Sequence, residues 1–220
     1  CVSALMLTCL VSVCAFGQTA PAPQKAKELP PVPKKSNERP AETPANAAEP
    51  FDGASIEKMA AQCVTLETEA GVIEIEMLAE SAPETVRNFL NLAATKAFDT
   101  TVFSRVVKDF VIQGGALYTS QNQTNALALR SRRTIPDEPN AVKHERGIVS
   151  MARPETPNGA TTNFFILVGD GSHLDGKFAA FGRIRRGIEI VDAINKAPTE
   201  GDKPKEPVRI TRATVTPCAK

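Results

Sequence analysis

The most informative segment of the chain is residues 98–115, which read FDTTVFSRVVKDFVIQGG. Residues 102–107 and 110–113 are mostly hydrophobic, and a short polar break separates them. Two such runs around a short break are typical of a β-hairpin. We therefore predict two antiparallel strands joined by a turn that is centred on Asp109.

One cation, Arg105, lies within the first of these strands. With Asp109 at the turn, Arg105 faces Gln113 on the paired strand, and the guanidinium beside the amide forms a fixed set of hydrogen-bond donors. Phe110 and Val111 would enclose these donors with apolar surface, which favours a binding site. The alternative is an arginine at the rim of the sheet that pairs with a carboxylate, and the spacing alone does not separate the two.

The rest of residues 62–220 predicts a mainly β domain. Residues 81–84, SAPE, form a capping-box pattern before a helix with an apolar stripe, and residues 187–196 predict a second helix. The predicted strands are residues 63–68, 72–77, 102–107, 110–113, 148–152, 164–168, 178–183 and 208–215. About eight strands and two helices imply an antiparallel sheet closed into a barrel or sandwich and covered by the helices.

Residues 1–17 predict a secretory signal peptide whose start is missing. Residues 2–13 are apolar but shorter than the ~20 residues that span a bilayer, and Ala15 and Gly17 suit cleavage near Gly17. This predicts export to the periplasm or secretion, with no membrane span. The alternatives are a buried N-terminal helix and a lipid anchor on Cys14, although Val13 fits a lipoprotein signal poorly.

Residues 18–61 predict a disordered linker rich in Pro, Ala, Lys and Glu. Eight of the 17 prolines lie between residues 18 and 50, with few large apolar side chains among them. Such a segment buries too little apolar surface to offset the entropy of ordering it, so we interpret it as a semi-stiff spacer. The alternative is a Pro-rich ligand for a groove-binding domain. Residues 56–62 favour a short helical lead-in.

Composition excludes several function classes. With 26 Lys and Arg against 25 Asp and Glu, the charge gives no electrostatic case for nucleic acid as a partner. His144 and His173 are the only histidines, and Cys63 and Cys218 lie outside any CxxC motif, so we predict no metal and no cofactor. The nucleophile-elbow motif GxSxG and the complete phosphate-cradling motif GxxxxGK[ST] are absent from the sequence.

Residues 98–115 resemble the signature of the cyclophilins, the peptidyl-prolyl cis-trans isomerases, with Ser104 where the family usually has His. Residues 147–166 and 174–182 resemble two further blocks, G-x-x-S-M-A to F-F-I and LDGK-x-x-x-FG, in the family's order. The resemblance covers residues 62–216. It implies a closed eight-stranded antiparallel β-barrel capped by two α-helices. It also implies an isomerase acting on proline-containing polypeptides, here unfolded or folding exported proteins.

The resemblance also implies residue roles. The catalytic set would be Arg105, Gln113 and Phe110, with Arg105 donating a hydrogen bond to the prolyl nitrogen in the twisted transition state. Gln113 would bind the preceding carbonyl and orient Arg105. Arg153 would contact the substrate through its main chain. The implied substrate-binding set is Val111, Ala152, Arg153, Asn163, Phe165, His173, Leu174 and Phe178.

Three members of this set depart from the family pattern. His173 stands where many cyclophilins carry Trp, which bears on cyclosporin binding. Phe178 replaces a usual His, and Asn163 replaces a usual Gln. The loss of the groove His and Trp together motivates an alternative function, a non-catalytic module that recognises proline.

The cysteines carry a separate hypothesis. Cys1, Cys9 and Cys14 would leave with the signal peptide, and export would place Cys63 and Cys218 in an oxidising compartment. In the implied barrel the first and last strands are antiparallel neighbours, so we hypothesise a disulfide between these two residues. The alternative is two unpaired thiols near the chain ends.

Overall fold

The computed structural model describes residues 48–219. The predicted signal peptide and residues 18–47 of the predicted linker lie outside the described residues. The helices are α1 Ile56–Ala60, α2 Pro83–Ala94, α3 Asn125–Arg130 and α4 Ile188–Asn195, with 3₁₀ turns at Leu117–Thr119 and Ser172–Leu174. The strands are β1 Gln62–Thr68, β2 Gly71–Met77, β3 Arg105–Val107, β4 Val111–Gly114, β5 Ile148–Met151, β6 Phe164–Leu167, β7 Ala180–Arg186, β8 Thr199–Glu200, β9 Lys203–Pro204 and β10 Ile210–Pro217.

Eight strands form one antiparallel sheet in the order β10-β1-β2-β7-β5-β6-β4-β3, and β8 and β9 form a separate two-stranded ribbon. The mainly β prediction is confirmed. The closed barrel is wrong, because the sheet is a curled half-barrel with β3 and β10 as its edges.

The two edges approach each other without forming a ladder. Val102 and Arg209 form an isolated bridge, and the Phe103 amide donates to the Val208 carbonyl at 2.9 Å. The outward amide of β3, at Val106, donates instead to the carbonyl of Asp202 at 2.8 Å. The ribbon turn therefore takes the edge position that β10 would need to close the sheet.

Helix α2 confirms the first predicted helix but not its capping box. Its N-cap is Ala82, whose side chain makes no cap hydrogen bond. The amides of Glu84 and Thr85 donate to the two carboxylate oxygens of Glu138, at 3.0 and 2.8 Å. Because the helix begins at Pro83, Ser81 lies one residue too early to cap it, and a distant carboxylate satisfies the first-turn donors. Helix α4 confirms the second predicted helix.

The folded domain begins before residue 62. Phe51 and Met59 are buried in the main core, and the Phe51 amide donates to Asn91 Oδ1 at 2.7 Å. Glu49 pairs with Arg130 at 2.7 Å. The predicted disordered linker is therefore corrected for residues 48–61, because Phe51 and Met59 pack into the core of the domain. The predicted helical lead-in appears as α1.

The main core, which we call the inner core, lies on the concave side of the curled sheet under α2. Its largest members are five phenylalanines that are almost completely buried: Phe89, Phe98, Phe103, Phe164 and Phe181. Gly115 lets the chain pass close to this core. Its φ is +83°, and a Cβ there would lie 2.3 Å from the Thr162 carbonyl oxygen, so a larger residue does not fit.

The disulfide hypothesis is confirmed. Cys63 and Cys218 are bonded, with their Cα atoms 4.9 Å apart. Cys63 lies opposite Thr216 where β1 pairs with β10, so the bond joins the start of the first sheet strand to the residue after the last. Within residues 48–219, helices long and apolar enough to cross a membrane are absent.

Candidate active site

The hairpin forms in the predicted register. Asp109 has a positive φ of 57° at the turn, and Arg105 lies directly opposite Gln113. Gln113 in turn lies opposite Phe165 on β6, and Phe165 opposite Ser150 on β5. Because directly opposed residues project to the same face of a sheet, these four side chains form one row across the outer face.

A groove of about 200 Å³ lies over this row. Nine of the eleven sequence-predicted site residues line it: Arg105, Phe110, Val111, Gln113, Ala152, Arg153, Phe165, Leu174 and Phe178. The other two are neighbours of the groove. Asn163 accepts a hydrogen bond from the Ala152 amide through its main-chain carbonyl at 2.9 Å, and the ring of His173 packs on Phe110 with centroids 5.2 Å apart.

The far wall of the groove is held by aromatic contacts. Phe165 and Phe178 meet edge to face with centroids 6.0 Å apart. The guanidinium of Arg153 lies 5.1 Å from the Phe178 ring centroid and donates to the Lys177 carbonyl at 3.2 Å. The side chain of Arg153 is therefore occupied in building this wall.

The guanidinium of Arg105 has a partner that the sequence analysis missed. Its Nε and Nη2 donate to Oδ2 of Asp202 at 3.0 and 2.8 Å. Both side chains are about half exposed, at 45% and 53%. The sequence left two alternatives for Arg105, a carboxylate partner or a place in a binding site. In the structure Arg105 pairs with a carboxylate and also lines the groove. Only the Gly201-Asp202 turn signal after the second helix could have pointed to this residue.

A buried polar network supports the groove from below. His144 is 1% exposed, with Nε2 3.1 Å from Ser150 Oγ and Nδ1 3.3 Å from Asp175 Oδ1. The His144 carbonyl accepts from the Gly171 amide at 2.9 Å. The network therefore ties β5 to the turn that carries Leu174.

Serine, histidine and aspartate in a hydrogen-bonded line suggest a hydrolase, but the geometry excludes it. Ser150 is fully buried, and its hydroxyl donates to the Ala179 carbonyl at 2.8 Å. A nucleophile must reach its substrate, so this serine is structural. Within residues 48–219, groups of three or more His, Cys, Asp and Glu placed to hold a metal ion are also absent.

The network shifts the pKa values of two side chains, His144 and Asp175. Burial lowers the pKa of His144 from its ordinary value, and the neighbouring Asp175 carboxylate acts in the opposite direction. The His144 amide, with the Lys143 ammonium second, lowers the pKa of Asp175 to about 2. The folded state therefore favours a neutral imidazole beside an ionised carboxylate.

Comparison with known proteins identifies the scaffold. Residues 63–215 match the family described as cyclophilin type peptidyl-prolyl cis-trans isomerase. The chain belongs to the cyclophilin family. The family and the fold thus agree with the resemblance found in the sequence.

Curated relatives carry the same activity name. The chain is 36% identical over 157 residues to peptidyl-prolyl cis-trans isomerase cypE of Dictyostelium discoideum, an alignment covering 71% of this chain and 99% of the relative. It is 34% identical to a peptidyl-prolyl cis-trans isomerase of Acinetobacter baylyi, covering 71% of this chain and 86% of the relative. This cyclophilin is therefore an enzyme of the peptidyl-prolyl cis-trans isomerase class, EC 5.2.1.8.

A solved structure gives the same answer for the fold. The cyclophilin-type peptidyl-prolyl cis-trans isomerase of Cryptosporidium parvum, crystallised in the presence of the dipeptide Ala-Pro, superposes with a TM-score of 0.62 and 27% identity. The match covers 70% of this cyclophilin and 98% of the Cryptosporidium chain.

Proposed function

We propose that this cyclophilin accelerates rotation about X–Pro bonds in exported polypeptides, with Arg105 acting on the twisted amide. The observation that supports the proposal is the row formed by Arg105, Gln113 and Phe165 along one groove. Donors thus lie at one end of the row and an aromatic wall at the other. A prolyl ring on the wall brings its amide to the donors.

A small number of contacts is enough to lower the rotation barrier by the required amount. The rotation barrier is ~18–20 kcal/mol, and the unaided step takes tens of seconds or longer. Reaching milliseconds requires about four decades, or ~5–6 kcal/mol at about 1.36 kcal/mol per decade. No bond to the substrate forms or breaks and no proton is abstracted, so differential binding of the twisted state is sufficient.

Arg105 supplies that differential binding. In the planar amide the prolyl nitrogen shares its lone pair with the carbonyl, whereas in the twisted state the lone pair returns to the nitrogen. A guanidinium N–H aimed at that nitrogen therefore gains a hydrogen bond in the transition state that the ground state lacks. Among residues 48–219, the guanidinium of Arg105 donates from Nε and Nη2 to Asp202, so its remaining N–H groups are not used by this part of the chain.

The other groove residues hold the substrate. Phe110, Val111, Phe165 and Leu174 form the apolar pocket for the prolyl ring, which fixes one side of the rotating bond. The Gln113 amide binds the carbonyl that precedes the proline. The main chain at Ala152 and Arg153 contacts the substrate backbone.

The sequence departures change the rim of the groove and not its centre. His173 backs Phe110 as a flat ring, and Phe178 extends the aromatic wall against Phe165. Phe178 lacks the ring N–H of a histidine, so the wall gains apolar surface and loses a donor. We propose that this shifts preference toward apolar residues beside the proline.

Export is the proposed setting. The apolar run at residues 2–13 supports it, and so does the Cys63–Cys218 bond, because disulfides persist mainly in oxidising compartments. Fractionation of cells carrying the full-length precursor, followed by mass spectrometry of the mature N-terminus, tests it. Cleavage near Gly17 with the protein outside the cytoplasm supports export, and an uncleaved cytoplasmic protein contradicts it.

The decisive experiment for the mechanism is a prolyl-peptide isomerisation assay on Arg105→Ala. Losing a donor aimed at developing charge costs about 10²–10³-fold in rate, so we expect a kcat/KM loss of that order. Arg146→Ala is the matched control, since Arg146 is another exposed arginine paired with an aspartate, Asp192, and does not line the groove. Wild-type protein no faster than Arg105→Ala would contradict the proposal.

A further inference from the structure

We propose that Asp202 is a positioning residue for Arg105: its carboxylate holds the guanidinium in the orientation that meets the prolyl nitrogen. The inference rests on the proposed function. It assigns a role to a residue of the β8–β9 ribbon, 97 positions away from Arg105 in the sequence.

The carboxylate binds one edge of the guanidinium and leaves the other free. Oδ2 of Asp202 accepts from Nε and Nη2 of Arg105 at 3.0 and 2.8 Å. An arginine has five N–H donors, so these two bonds leave three, two on Nη1 and one on Nη2. The spare donors all lie on the terminal nitrogens, which are the ones free to contact a substrate in the groove that Arg105 lines.

Asp202 is itself held in place by its backbone. It lies in the two-residue turn between Glu200 and Lys203, which pair across the ribbon, and Gly201 provides the positive φ of 58° at the first turn position. Its carbonyl accepts from the Val106 amide at 2.8 Å. The main chain of Asp202 is thus bonded to the strand residue next to Arg105, which fixes the carboxylate relative to the arginine backbone.

Gln113, the residue first expected to orient Arg105, does not take this role within residues 48–219. The hydrogen bonds of the Arg105 guanidinium in this part of the chain go to Asp202. With its side chain 45% exposed and linked through three methylenes, Arg105 would otherwise sample several rotamers. Because Asp202 holds Arg105 in one rotamer before the substrate binds, the entropy cost of ordering this side chain does not add to the barrier of the catalytic step.

The pair is exposed enough that its effect on folding is small. Ion pairs at this level of exposure contribute little to stability, so substituting Asp202 should alter orientation without unfolding the domain. A positioning role and a structural role therefore make different predictions for the same variants.

The experiment compares Asp202→Asn and Asp202→Ala with Asp192→Asn, which breaks the Asp192–Arg146 pair elsewhere on the surface. We expect kcat/KM to fall about tenfold in Asp202→Ala and less in Asp202→Asn, which keeps an acceptor oxygen. The dissociation constant for a ground-state prolyl peptide, measured by NMR titration, should stay within about twofold of wild type. Asp192→Asn should match wild type in both measurements.

Two further readouts separate positioning from structure. In the Arg105→Ala background, Asp202→Ala should produce no further loss of rate, because the residue through which it acts is gone. The ¹⁵N–¹H signal of the Arg105 Nε group, assigned by its loss in Arg105→Ala, should be protected from solvent exchange in wild type and lose that protection in Asp202→Ala.

Asp202→Ala at or above the wild-type rate would overturn the inference, and so would an equal Asp202→Ala loss in the Arg105→Ala background. A parallel weakening of peptide binding would also overturn it. These outcomes are distinct from failure of the proposed function, in which Arg105→Ala itself would keep wild-type activity.

Discussion

Phe164 and Phe165 are neighbours on β6 and belong to different parts of the molecule. Phe164 is fully buried in the inner core, where its ring lies 5.2 Å from that of Phe89 and 5.5 Å from that of Phe98. Phe165 faces the other side of the sheet and lines the groove with Phe178. Alternation along a single strand therefore separates the residues that hold the fold from those that line the groove.

The difference shows how the groove can vary without loss of the fold. The inner core surrounds Phe164 with other apolar side chains, whereas the small cluster that holds Phe165 has one side that opens on the groove. The unusual residues of this cyclophilin, His173 and Phe178, both lie on the open side. We therefore expect substitutions on the open side to alter the groove, and substitutions on the inner face to alter the stability of the fold.

The largest expected effect is that of Phe164→Ala. Truncating a fully buried phenylalanine leaves a cavity and costs about 3–5 kcal/mol of the free energy of unfolding. Urea titration followed by circular dichroism measures this loss. The kcat/KM of the fraction that remains folded should stay near the wild-type value, and a selective loss of activity with unchanged stability would break the division between the faces.

The double variant Cys63→Ser/Cys218→Ser should come next. Removing the disulfide that closes this long loop costs about 2–4 kcal/mol, through the greater entropy of the unfolded chain in the simplest account. The bond lies between β1 and β10, away from the groove, so isomerase activity at low temperature should not change. Wild-type protein with dithiothreitol is a chemical control that should shift the urea midpoint in the same direction.

Phe165→Ala sharpens the comparison from the other side. Phe165 is also buried, at 6% exposure, but it borders the groove, where solvent can fill the space that truncation leaves, so the stability cost should be at or just below the lower end of the range for Phe164→Ala, about 2–3 kcal/mol. The loss of kcat/KM should instead be large, about tenfold or more, since the pocket loses its wall. If the two alanine variants lose activity only in proportion to their unfolded fractions, the groove assignment is wrong.

The smallest effect concerns pH. Burial lowers the pKa of His144 in the folded state, whereas the unfolded chain takes up this proton near the ordinary value of 6.5. As the pH falls below about 6.5, the unfolded state therefore binds more protons than the folded state, and stability decreases. Urea midpoints between pH 7.5 and 5 should fall in wild type and show a weaker slope in His144→Asn.

His173→Gln provides the control for this titration. His173 is the only other histidine, and it is exposed at the groove rim. It should keep the wild-type slope. An equal slope in the two variants and the wild type would remove His144 as the cause.

Sequence patterns predicted those features of the structure that depend on residues close together in the chain. The hairpin register around Asp109, the presence of α2 and the bounds of α4 to within one residue followed from hydrophobic spacing within a few residues. The Arg105–Gln113–Phe165 set came from the hairpin and the family blocks together. Nine of the eleven proposed site residues accordingly line one groove.

The errors came from contacts between distant segments. Val102 and Phe103 are buried, Phe103 in the inner core, and residues 102–104 were taken for part of a strand that begins only at Arg105. The closed barrel depended on how β3 and β10 meet, which is decided by the ribbon turn at Asp202. No spacing rule links residues 105 and 202, so the sequence did not predict that Asp202 pairs with Arg105.

The cap of α2 carries a consequence for the order in which the domain is synthesised. Glu138 leaves the ribosome 54 residues after Glu84, whose amide it accepts, and at 5–20 residues per second this is a delay of about 3–10 s. An isolated helix of 12 residues is marginal in water. During that interval the nascent α2 has neither its cap nor the later strands β5 to β7 to pack on. The first third of the domain therefore cannot complete its packing until the later residues have been synthesised. A chaperone or translocation factor that binds apolar nascent chain can act during this interval.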